Sequence, residues 1–364
     1  MENMKKVCFI YPHITSYVLP LIYGMAESCK LDVVYGSAPL EEGFGKHDIF
    51  VHPNVSWTEL KTISPFGKYF GMYQRGIITH IFKNRPNAIV FFGNPRYISF
   101  WFVLIIGKIL KIEVYPSGHG LFKKKKPSIL IKLMYRIIIA LSTKYLCYTE
   151  SVKKSLASVG NEGSLLVDNN TLYNSAPILP AEKNGNEPDV FFIGRLRSRC
   201  GIEELIDAIR IMRSRNKNID LHIIGDGPLS NLVISRAESN PWVHYHGQLF
   251  EDSQIREVSR SCRIGCYPGD MGLSVVHMLS LCLPPVTHNS MNEHMGPEPS
   301  YIQDGINGFF YSPKLNITAL VDTLFRIWNL PTEQIRTVQK AAYSTYTDLS
   351  TPPLHRRILQ NINC

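Results

Sequence analysis

The sequence predicts an α/β protein built from two domains, each with a parallel sheet covered by helices on both faces. Three observations support this class. The length of 364 residues suits two domains rather than one. Short apolar segments alternate with helical segments in both halves of the chain, as they do in parallel α/β sheets. A polar, proline-rich stretch from Asn174 to Asp189 separates the two halves.

The first half begins with the apolar run "KVCFIY" and continues with strand-like and helical segments in turn. Strands are predicted at 6–11, 31–36, 87–93, 112–118, 144–150 and 163–170. Helices are predicted at 17–28 and 95–111, and a basic helix lies between the fourth and fifth strands. We therefore assign residues 1–175 to the first domain and 176–188 to a linker.

The second half repeats the pattern, which assigns residues 189–345 to a second domain. Strands are predicted within 190–196, 219–228, 243–249, 263–269, 284–289 and 307–311. Helices are predicted at 201–215, 229–239, 253–262, from about Gly272 to Pro284, and at 331–346. Residues 346–364 form a last basic segment that is expected to cross back to the first domain.

The net charge of +9 points to anionic partners, and its placement favours a membrane surface. A cluster of basic residues precedes and enters an amphipathic helix: Lys123, Lys124, Lys125, Lys126, Lys132 and Arg136. The alternative is a solvated loop followed by an ordinary core helix. No signal peptide, membrane-spanning segment or nucleic-acid motif is predicted, and the eight scattered cysteines suit buried thiols in a reducing cytoplasm. We expect a cytoplasmic protein that lies against the inner face of the cytoplasmic membrane.

The phosphate-binding fingerprints of two large enzyme classes are missing. "GDGPLS" has Ser230 where a dinucleotide fold has its third glycine, and the chain contains no P-loop sequence. Three arginines follow the first strand of the second domain, in "GRLRSR" from Gly194 to Arg199, and suit a diphosphate. The helix that starts near Gly272 offers unpaired amides at a positive dipole end. An anion site is therefore predicted in the second domain.

Several histidines are candidates for the site, each with an ordinary structural alternative. His119 lies between glycines after a strand, and His277 lies in the second turn of its helix, whose side chains lean toward the amide end. Weaker candidates are His13, His288 and His294. No metal site is predicted. His244 and His246 share a strand face without a third ligand, and Cys262 and Cys266 lack a second pair.

Five motifs of the second half occur in the order seen in the donor domain of retaining family 4 glycosyltransferases of the GT-B fold. They are "FIGRLRSRCGIEELIDAI", "HIIGDGP", "VHYHGQL", "PGDMGLSVVHMLSLCLPPVTHN" and "GPEPSYIQDGINGFFY". In the first half, "FFGNPRYISFW", "SGHGLFKKK", "LCYTESVKKSL" and "VDNNTL" resemble a bacterial branch that builds O-antigen, capsule or other surface polysaccharides. The resemblance implies two Rossmann-like domains facing across a cleft, with the acceptor on the first and a nucleotide-sugar on the second.

The resemblance implies roles for individual residues. Arg195, with Arg199 and His119, is implied to act on the donor diphosphate and the donor sugar. The residues implied to bind the donor are Gly194, Gly225, Asp226, Gly227, Pro228, Asp270, Gly272, Leu273, Ser274, His277 and Glu298. Three positions depart from the family pattern, since Cys200 replaces its lysine, and Gly269 and His277 replace its pair of glutamates. Asp270 is then expected to reach the sugar hydroxyls, and Arg197 or Arg199 to supply the lost charge.

The predicted activity is sugar transfer from a nucleotide diphosphate donor to a lipid-linked or saccharide acceptor, with retention as the resemblance implies. A UDP-sugar is favoured as donor and a GDP-sugar is possible. The resemblance implies that no metal or cofactor is required, because positive groups stabilise the departing diphosphate in such enzymes. Two alternatives stay open: a nucleotide-sugar epimerase of the same fold, and an inactive scaffold of the polysaccharide assembly machinery.

Overall fold

The computed structural model describes residues 4–36, 51–64, 71–92, 94–123 and 126–364. The chain divides into two compact units, one of Met1–Asn169 with Pro352–Cys364 and the other of Asn170–Thr351. Lys124 and Lys125 of the basic segment lie outside the described residues. None of the described helices combines the length and apolarity that a bilayer-spanning segment needs.

The strands of the first unit form one large parallel sheet and one small hairpin-like pair. In chain order they are β1 (Lys6–Tyr11), β2 (Lys30–Gly36), β3 (Val55–Leu60), β4 (Thr62–Ile63), β5 (Tyr73–Gln74), β6 (Ala88–Phe92), β7 (Glu113–Gly118), β8 (Tyr145–Cys147) and β9 (Leu165–Val167). Within the described residues the large sheet has the order β3-β2-β1-β6-β7-β8-β9. Adjacent strands of this sheet are all parallel, while β4 and β5 form a separate antiparallel pair.

Helices cover both faces of this sheet, which explains why its central strands are continuous apolar runs. They are α1 (Leu19–Ala26), α2 (Ile77–Asn84), α3 (Ile98–Leu110), α4 (Ile129–Leu141), α5 (Glu150–Ala157) and, from the end of the chain, α12 (Leu354–Asn361). Side chains fix two of the helix starts, since Ser128 caps α4 and Thr149 caps α5. Helix α12 packs against α1. The Arg357 guanidinium donates to the carbonyls of Asp168 and Asn169 at 2.6 and 2.9 Å.

The second unit has one parallel sheet with the strand order of a dinucleotide-binding fold. Its strands are β10 (Asp189–Ile193), β11 (Leu221–Ile224), β12 (Val243–Tyr245), β13 (Cys262–Cys266), β14 (Pro285–His288) and β15 (Phe309–Tyr311). The order β12-β11-β10-β13-β14-β15 is that of a doubly wound sheet. Its helices are α6 (Ile202–Ser214), α7 (Ser230–Ser239), α8 (Asp252–Ser259), α9 (Ser274–Ser280), α10 (Ile317–Trp328) and α11 (Thr332–Ser350). The predicted α/β class with two Rossmann-like domains is confirmed.

Seven elements were not predicted from the sequence: β3, β4, β5, α2, α5, α10 and α12. Helix α10 nevertheless carries its own signals, because the Asn316 side chain caps it at 2.8 Å and an apolar stripe of Leu320, Leu324 and Ile327 faces the core. Strand β3 is half-exposed at the edge of its sheet. Apolar and polar residues alternate only weakly along β3, so its sequence is harder to recognise as a strand than the continuous apolar run of a central strand.

The predicted linker at 176–188 packs onto the second unit. Ile178 is buried, and so is Lys183. The Lys183 ammonium donates to the carbonyls of Ser259, Arg260 and Cys262 at 3.2, 3.1 and 2.8 Å. These three bonds satisfy a buried cation at the start of β13, so the segment is anchored to the sheet even though its composition is polar.

Candidate functional site

Three loops of the second unit interlock at the carboxyl ends of β10, β11 and β13, where parallel sheets bind ligands. We call 194–201, 225–229 and 267–274 the carboxyl-edge loops. The Leu196 amide donates to the Asp226 carbonyl at 3.0 Å, which ties the first loop to the second. The Asp270 amide donates to the Arg199 carbonyl at 2.8 Å and ties the third loop to the first. The structure therefore brings most of the predicted donor-site residues together.

Two glycines permit the close contact between these loops. A Cβ on Gly225 would lie 1.9 Å from the Gly194 carbonyl oxygen, and the φ of Gly225 is +146°. A Cβ on Gly269 would lie 1.9 Å from the Arg199 carbonyl oxygen. At these two positions the missing side chain allows backbone to meet backbone. Glutamate stands at the position of Gly269 in the family that the sequence resembles. In this structure a glutamate side chain would collide with the Arg199 backbone.

The Asp270 carboxylate is the centre of a buried ionic cluster. Its two oxygens lie 2.6 Å from Arg199 Nη2 and 2.5 Å from Lys314 Nζ. His288 Nε2 is 3.6 Å away, and Lys314 also contacts Glu293 at 3.0 Å. The Asp270 side chain is only 2% exposed, whereas that of Arg199 is 63% exposed. Asp270 and Arg199, assigned to different roles by the sequence analysis, are therefore partners.

Lys314 is a site residue that sequence reasoning missed. It lies in the loop after β15, and its side chain is 14% exposed between the two carboxylates. Nothing in the local sequence "YSPKLN" distinguishes it from a surface lysine. Its importance arises because β15 and β13 end at the same edge of the sheet, which brings residues 314 and 270 together. It places a cation beside Asp270, whose other oxygen contacts Arg199.

His288 and His294 form a stacked pair under the third carboxyl-edge loop. Their ring centroids are 3.9 Å apart. His294 Nδ1 accepts from the Met271 amide at 3.2 Å, so Nε2 carries the proton and donates to the His288 carbonyl at 3.0 Å. Burial lowers the pKa of His294 to about 3, and burial and Lys314 lower that of His288 to about 4. Both rings are neutral near pH 7 and hold the loop in place.

Arg195 and Asp226 lie in the first and second carboxyl-edge loops. The Asp226 carboxylate accepts from the Ser230 hydroxyl at 2.6 Å and from the Gly227 amide at 2.8 Å. These bonds, with a smaller contribution from the Arg195 charge, lower the pKa of Asp226. Pro228 beside them is exposed. Asp226 therefore fixes the start of α7, and an exposed anionic oxygen lies near Arg195.

Helix α9 begins at Ser274 and ends at Ser280, so it stops earlier than the expected end at Pro284. The Gly272 and Leu273 carbonyls accept from the amides of Val275 and Val276 at 3.2 and 2.9 Å. Among the hydrogen bonds of the described residues, none uses the amides of Gly272, Leu273 and Ser274 as donors. This pattern is the one predicted for an amide-rich turn after β13.

His277 lies one turn into α9. Burial lowers its pKa, and within the described structure its Nδ1 atom is buried without a hydrogen-bond partner. An unsatisfied ring nitrogen in this position is costly unless a ligand or water completes it. The Nδ1 atom of His277 is therefore available for a hydrogen bond with a hydroxyl group, such as that of a ribose.

Glu298 follows β14 in a short 3-10 turn and is buried. Its Oε1 atom accepts from the Asn170 amide group at 2.6 Å, and burial raises the pKa of the carboxyl. The Oε2 atom has no hydrogen-bond partner among the described residues. It packs so close to Gly296 that a Cβ on that glycine would lie only 2.0 Å from it. Glu298 thus holds Asn170, the first residue of the second unit.

The first unit holds two predicted site residues, His119 and the weaker candidate His13. His119 follows β7 and is exposed, and its ring meets that of Tyr148 at 4.9 Å and 68°. Both residues lie at the carboxyl edge of their own sheet, because Tyr148 directly follows β8. An aromatic wall beside a histidine at this edge suits contact with a sugar face.

Residues 180–345 match the model of the family described as glycosyl transferases group 1. All of the carboxyl-edge loops and the Asp270 cluster lie within this match. No curated protein matches the sequence.

Solved structures of similar fold extend the likeness over both units. The structure of Anabaena HepE in complex with UDP and glucose is 14% identical, with a TM-score of 0.65, and the match covers 99% of each chain. The lipopolysaccharide outer core galactosyltransferase WaaB is 14% identical with a TM-score of 0.64, covering 98% of this chain and 99% of that one. A UDP-N-acetylglucosamine 2-epimerase assigned in Listeria monocytogenes is 13% identical with a TM-score of 0.61, covering 99% and 97%. At these identities the likeness establishes the fold.

The edge of the second sheet is equipped to hold an anion. Three arginines follow β10 directly, Lys314 approaches from β15, and the first turn of α9 adds amide donors. Asp270 orients two of these cations rather than offering free oxygens, since both oxygens already meet positive groups. Such fixed positive groups can stabilise negative charge that develops on a leaving group without waiting for solvent to reorganise.

Proposed function

We propose that the protein is a glycosyltransferase that moves a sugar from a nucleotide diphosphate donor to a lipid-linked or saccharide acceptor in surface polysaccharide synthesis. The observation that carries this proposal is the match of residues 180–345 to glycosyl transferases group 1, which contains the cationic carboxyl-edge loops. The UDP in the HepE structure supports a UDP-sugar donor, and the likeness to WaaB, a lipopolysaccharide outer core galactosyltransferase, supports a surface glycan acceptor. The motif resemblance further supports membership of retaining family 4.

In this proposal Arg195 binds the donor diphosphate and stabilises the charge that develops on it as the glycosidic bond breaks. Arg199 adds positive charge and is held by Asp270 as a positioning residue. The amides of Gly272, Leu273 and Ser274 bind the distal phosphate, and His277 bonds a ribose hydroxyl through its open Nδ1. His119 faces the donor sugar. No metal ion is needed in this scheme, because the arginines supply the charge at the diphosphate.

We propose that the first unit rests on anionic lipid through α3 and α4, which pack against each other. Large apolar side chains project from both helices into solvent. They are Phe102, Ile105 and Ile109 of α3 and Ile129, Leu130, Leu133 and Ile137 of α4. We call these seven residues the apolar ridge. Exposed Lys126, Lys132 and Arg136 flank it, which is the combination that binds anionic bilayers. The protein would act at the inner face of the cytoplasmic membrane.

Mass spectrometry of reactions with a panel of UDP-, GDP- and dTDP-sugars and a lipid-linked acceptor tests the proposed activity. We expect acceptor-dependent transfer of one sugar, with no loss of rate when EDTA is added. The fold of the Listeria epimerase favours one alternative, a nucleotide-sugar epimerase. Conversion of the donor sugar in reactions without acceptor would establish that alternative instead. A folded protein that neither transfers nor converts any sugar would support an inactive scaffold.

A further inference from the structure

Three polar residues lie side by side across neighbouring strands of the first sheet. Cys8 of β1 pairs with Asp32 of β2, which in turn pairs with Ser56 of β3. Residues in register on parallel strands project to the same face of the sheet. The Ser56 hydroxyl donates to Asp32 Oδ1 at 3.2 Å. A thiol, a carboxylate and a hydroxyl thus form a row on a face whose other residues are largely apolar.

Helix α2 covers this row with a histidine and an asparagine one turn apart. His80 Nε2 lies 2.6 Å from Asp32 Oδ2. Asn84 Nδ2 lies 2.9 Å from the same ring nitrogen and 3.3 Å from the same carboxylate oxygen. His80 Nε2 cannot both donate to Asp32 and accept from Asn84. Asn84 can donate to Asp32 Oδ2 instead, which leaves His80 Nε2 to share its proton with that oxygen. The imidazole nitrogen and the carboxylate oxygen thus face the same small space.

The Cys8 sulfur borders the same space. The ligand atoms of Cys8, Asp32 and His80 all lie within 4.8 Å of one another. Zinc with bonds of about 2.3 Å to sulfur and about 2.0–2.2 Å to nitrogen and oxygen needs ligand separations of roughly 3.2–3.7 Å. The 2.6 Å separation of His80 Nε2 and Asp32 Oδ2 would have to lengthen to reach that geometry. Cys8 is fully buried, whereas Asp32 and His80 keep 16% and 15% of their side chains exposed, so solvent reaches the site from their side.

We propose that Cys8, Asp32 and His80 form a zinc site in the first unit, with water or the Ser56 hydroxyl in the fourth position. Thiolate, imidazole and carboxylate together favour Zn²⁺ over Mg²⁺ and Ca²⁺, which require oxygen ligands. One thiolate and one carboxylate neutralise the two charges of the ion, so no net charge is buried. Binding releases the thiol proton to solvent and forms the Zn–S bond, with no redox step.

The position of the site indicates a structural role. Cys8 and Asp32 each occupy the third residue of their strand, toward the amino ends of β1 and β2. Substrates of such sheets bind at the opposite, carboxyl ends. The ion would link β1 and β2 to α2, which also packs on the sheet through the buried side chains of Ile77 and Ile81. The inference does not depend on the proposed glycosyl transfer.

Titration of the full-length, chelator-treated and untagged protein with Co²⁺ tests the site. Cobalt bound to a thiolate gives a near-ultraviolet charge-transfer band, which carboxylate or imidazole ligands alone do not give. We expect this band to saturate at one equivalent of Co²⁺ and to disappear when Zn²⁺ is added. We also expect Zn²⁺ to raise the unfolding temperature. Absence of the band in the wild-type protein would overturn the proposal.

Variants locate the metal. C8S should lose the band, and H80N should weaken Co²⁺ binding at least tenfold while leaving circular dichroism unchanged. H80N keeps the test valid if C8S fails to fold, because His80 is partly exposed. C29S is the matched control, since Cys29 is also buried in the first unit but its thiol bonds the Met25 carbonyl. A band that persists in C8S, or wild-type affinity in H80N, would contradict the assignment.

Discussion

Arg199 Nη2 lies 2.6 Å from Asp270 Oδ2, and the Asp270 amide returns a bond of 2.8 Å to the Arg199 carbonyl. The two residues thus hold each other through both side chain and backbone. Arg199 adopts a left-handed conformation with φ of +73°, which is uncommon for a residue with a side chain. The side-chain and backbone contacts with Asp270 stabilise this conformation, and they fix the position of the exposed Arg199 guanidinium on the first carboxyl-edge loop.

Substitution of Asp270 by asparagine is expected to destabilise the second unit. It removes the buried charge partner of both Lys314 and Arg199, and it leaves the Lys314 ammonium with Glu293 as its remaining carboxylate. Breaking a buried ion pair from one side costs about 3–5 kcal/mol in the free energy of unfolding. Urea unfolding measures this change. E257Q is the control, because Glu257 pairs with Arg260 on the surface and such pairs contribute about 0–1 kcal/mol. Equal free energies of unfolding for D270N and E257Q would show that the Asp270 ion pairs do not stabilise the second unit.

R195A is expected to reduce the rate of sugar transfer by at least about 10²-fold, the size of the loss when one charge-stabilising group is removed. The fold should be retained, because Arg195 is only partly buried. Initial rates and circular dichroism measure the two effects. R210A provides the control, since Arg210 pairs with Asp207 on the surface of α6. An unchanged rate in R195A would mean that the diphosphate binds elsewhere.

Charge on the apolar ridge should abolish membrane binding. L130E and L133E place carboxylates at side chains that are 78% and 50% exposed, where they would meet the headgroups and acyl chains. We expect loss of flotation with anionic liposomes and unchanged stability in solution. I234E is the matched control, because Ile234 is 41% exposed on α7 of the second unit. Neutralising Lys123 to Lys126 should weaken flotation on anionic lipid, and unchanged flotation in both sets would exclude this surface as the anchor.

Asp168 should make the stability of the first unit depend on pH. Burial raises its pKa from 3.8 to about 7, although the Asn361 amide group bonds it at 2.7 Å. The folded protein therefore holds this proton more tightly than the unfolded chain does. The stabilising contribution is complete below pH 3.8 and is lost as the pH rises through about 7. D168N should flatten the unfolding temperature between pH 5 and 8 and raise it at pH 8, whereas a parallel shift of the whole curve would contradict this origin.

The sequence predicted what depends on local pattern. The apolar strands, the glycine-rich loop ends and the arginines after β10 are all contiguous signals, and they placed most of the candidate site at one edge of one sheet. Lys314 could not be found in this way, because its partner Asp270 is 44 residues away in the chain and meets it only through strand order. The cluster of Cys8, Asp32 and His80 was missed for the same reason. These residues lie on three separate elements, so their positions in the chain show none of the short spacings by which metal-binding motifs are recognised in a sequence.

The most direct test of the central claim is isothermal titration of the full-length protein with UDP and with GDP. We expect saturable binding of one nucleotide per chain, with UDP preferred, and at least tenfold weaker binding in R195A. R210A should bind as the wild type does. Absence of binding of either nucleotide to a folded protein would contradict the assignment of the carboxyl-edge loops as a nucleotide-sugar site.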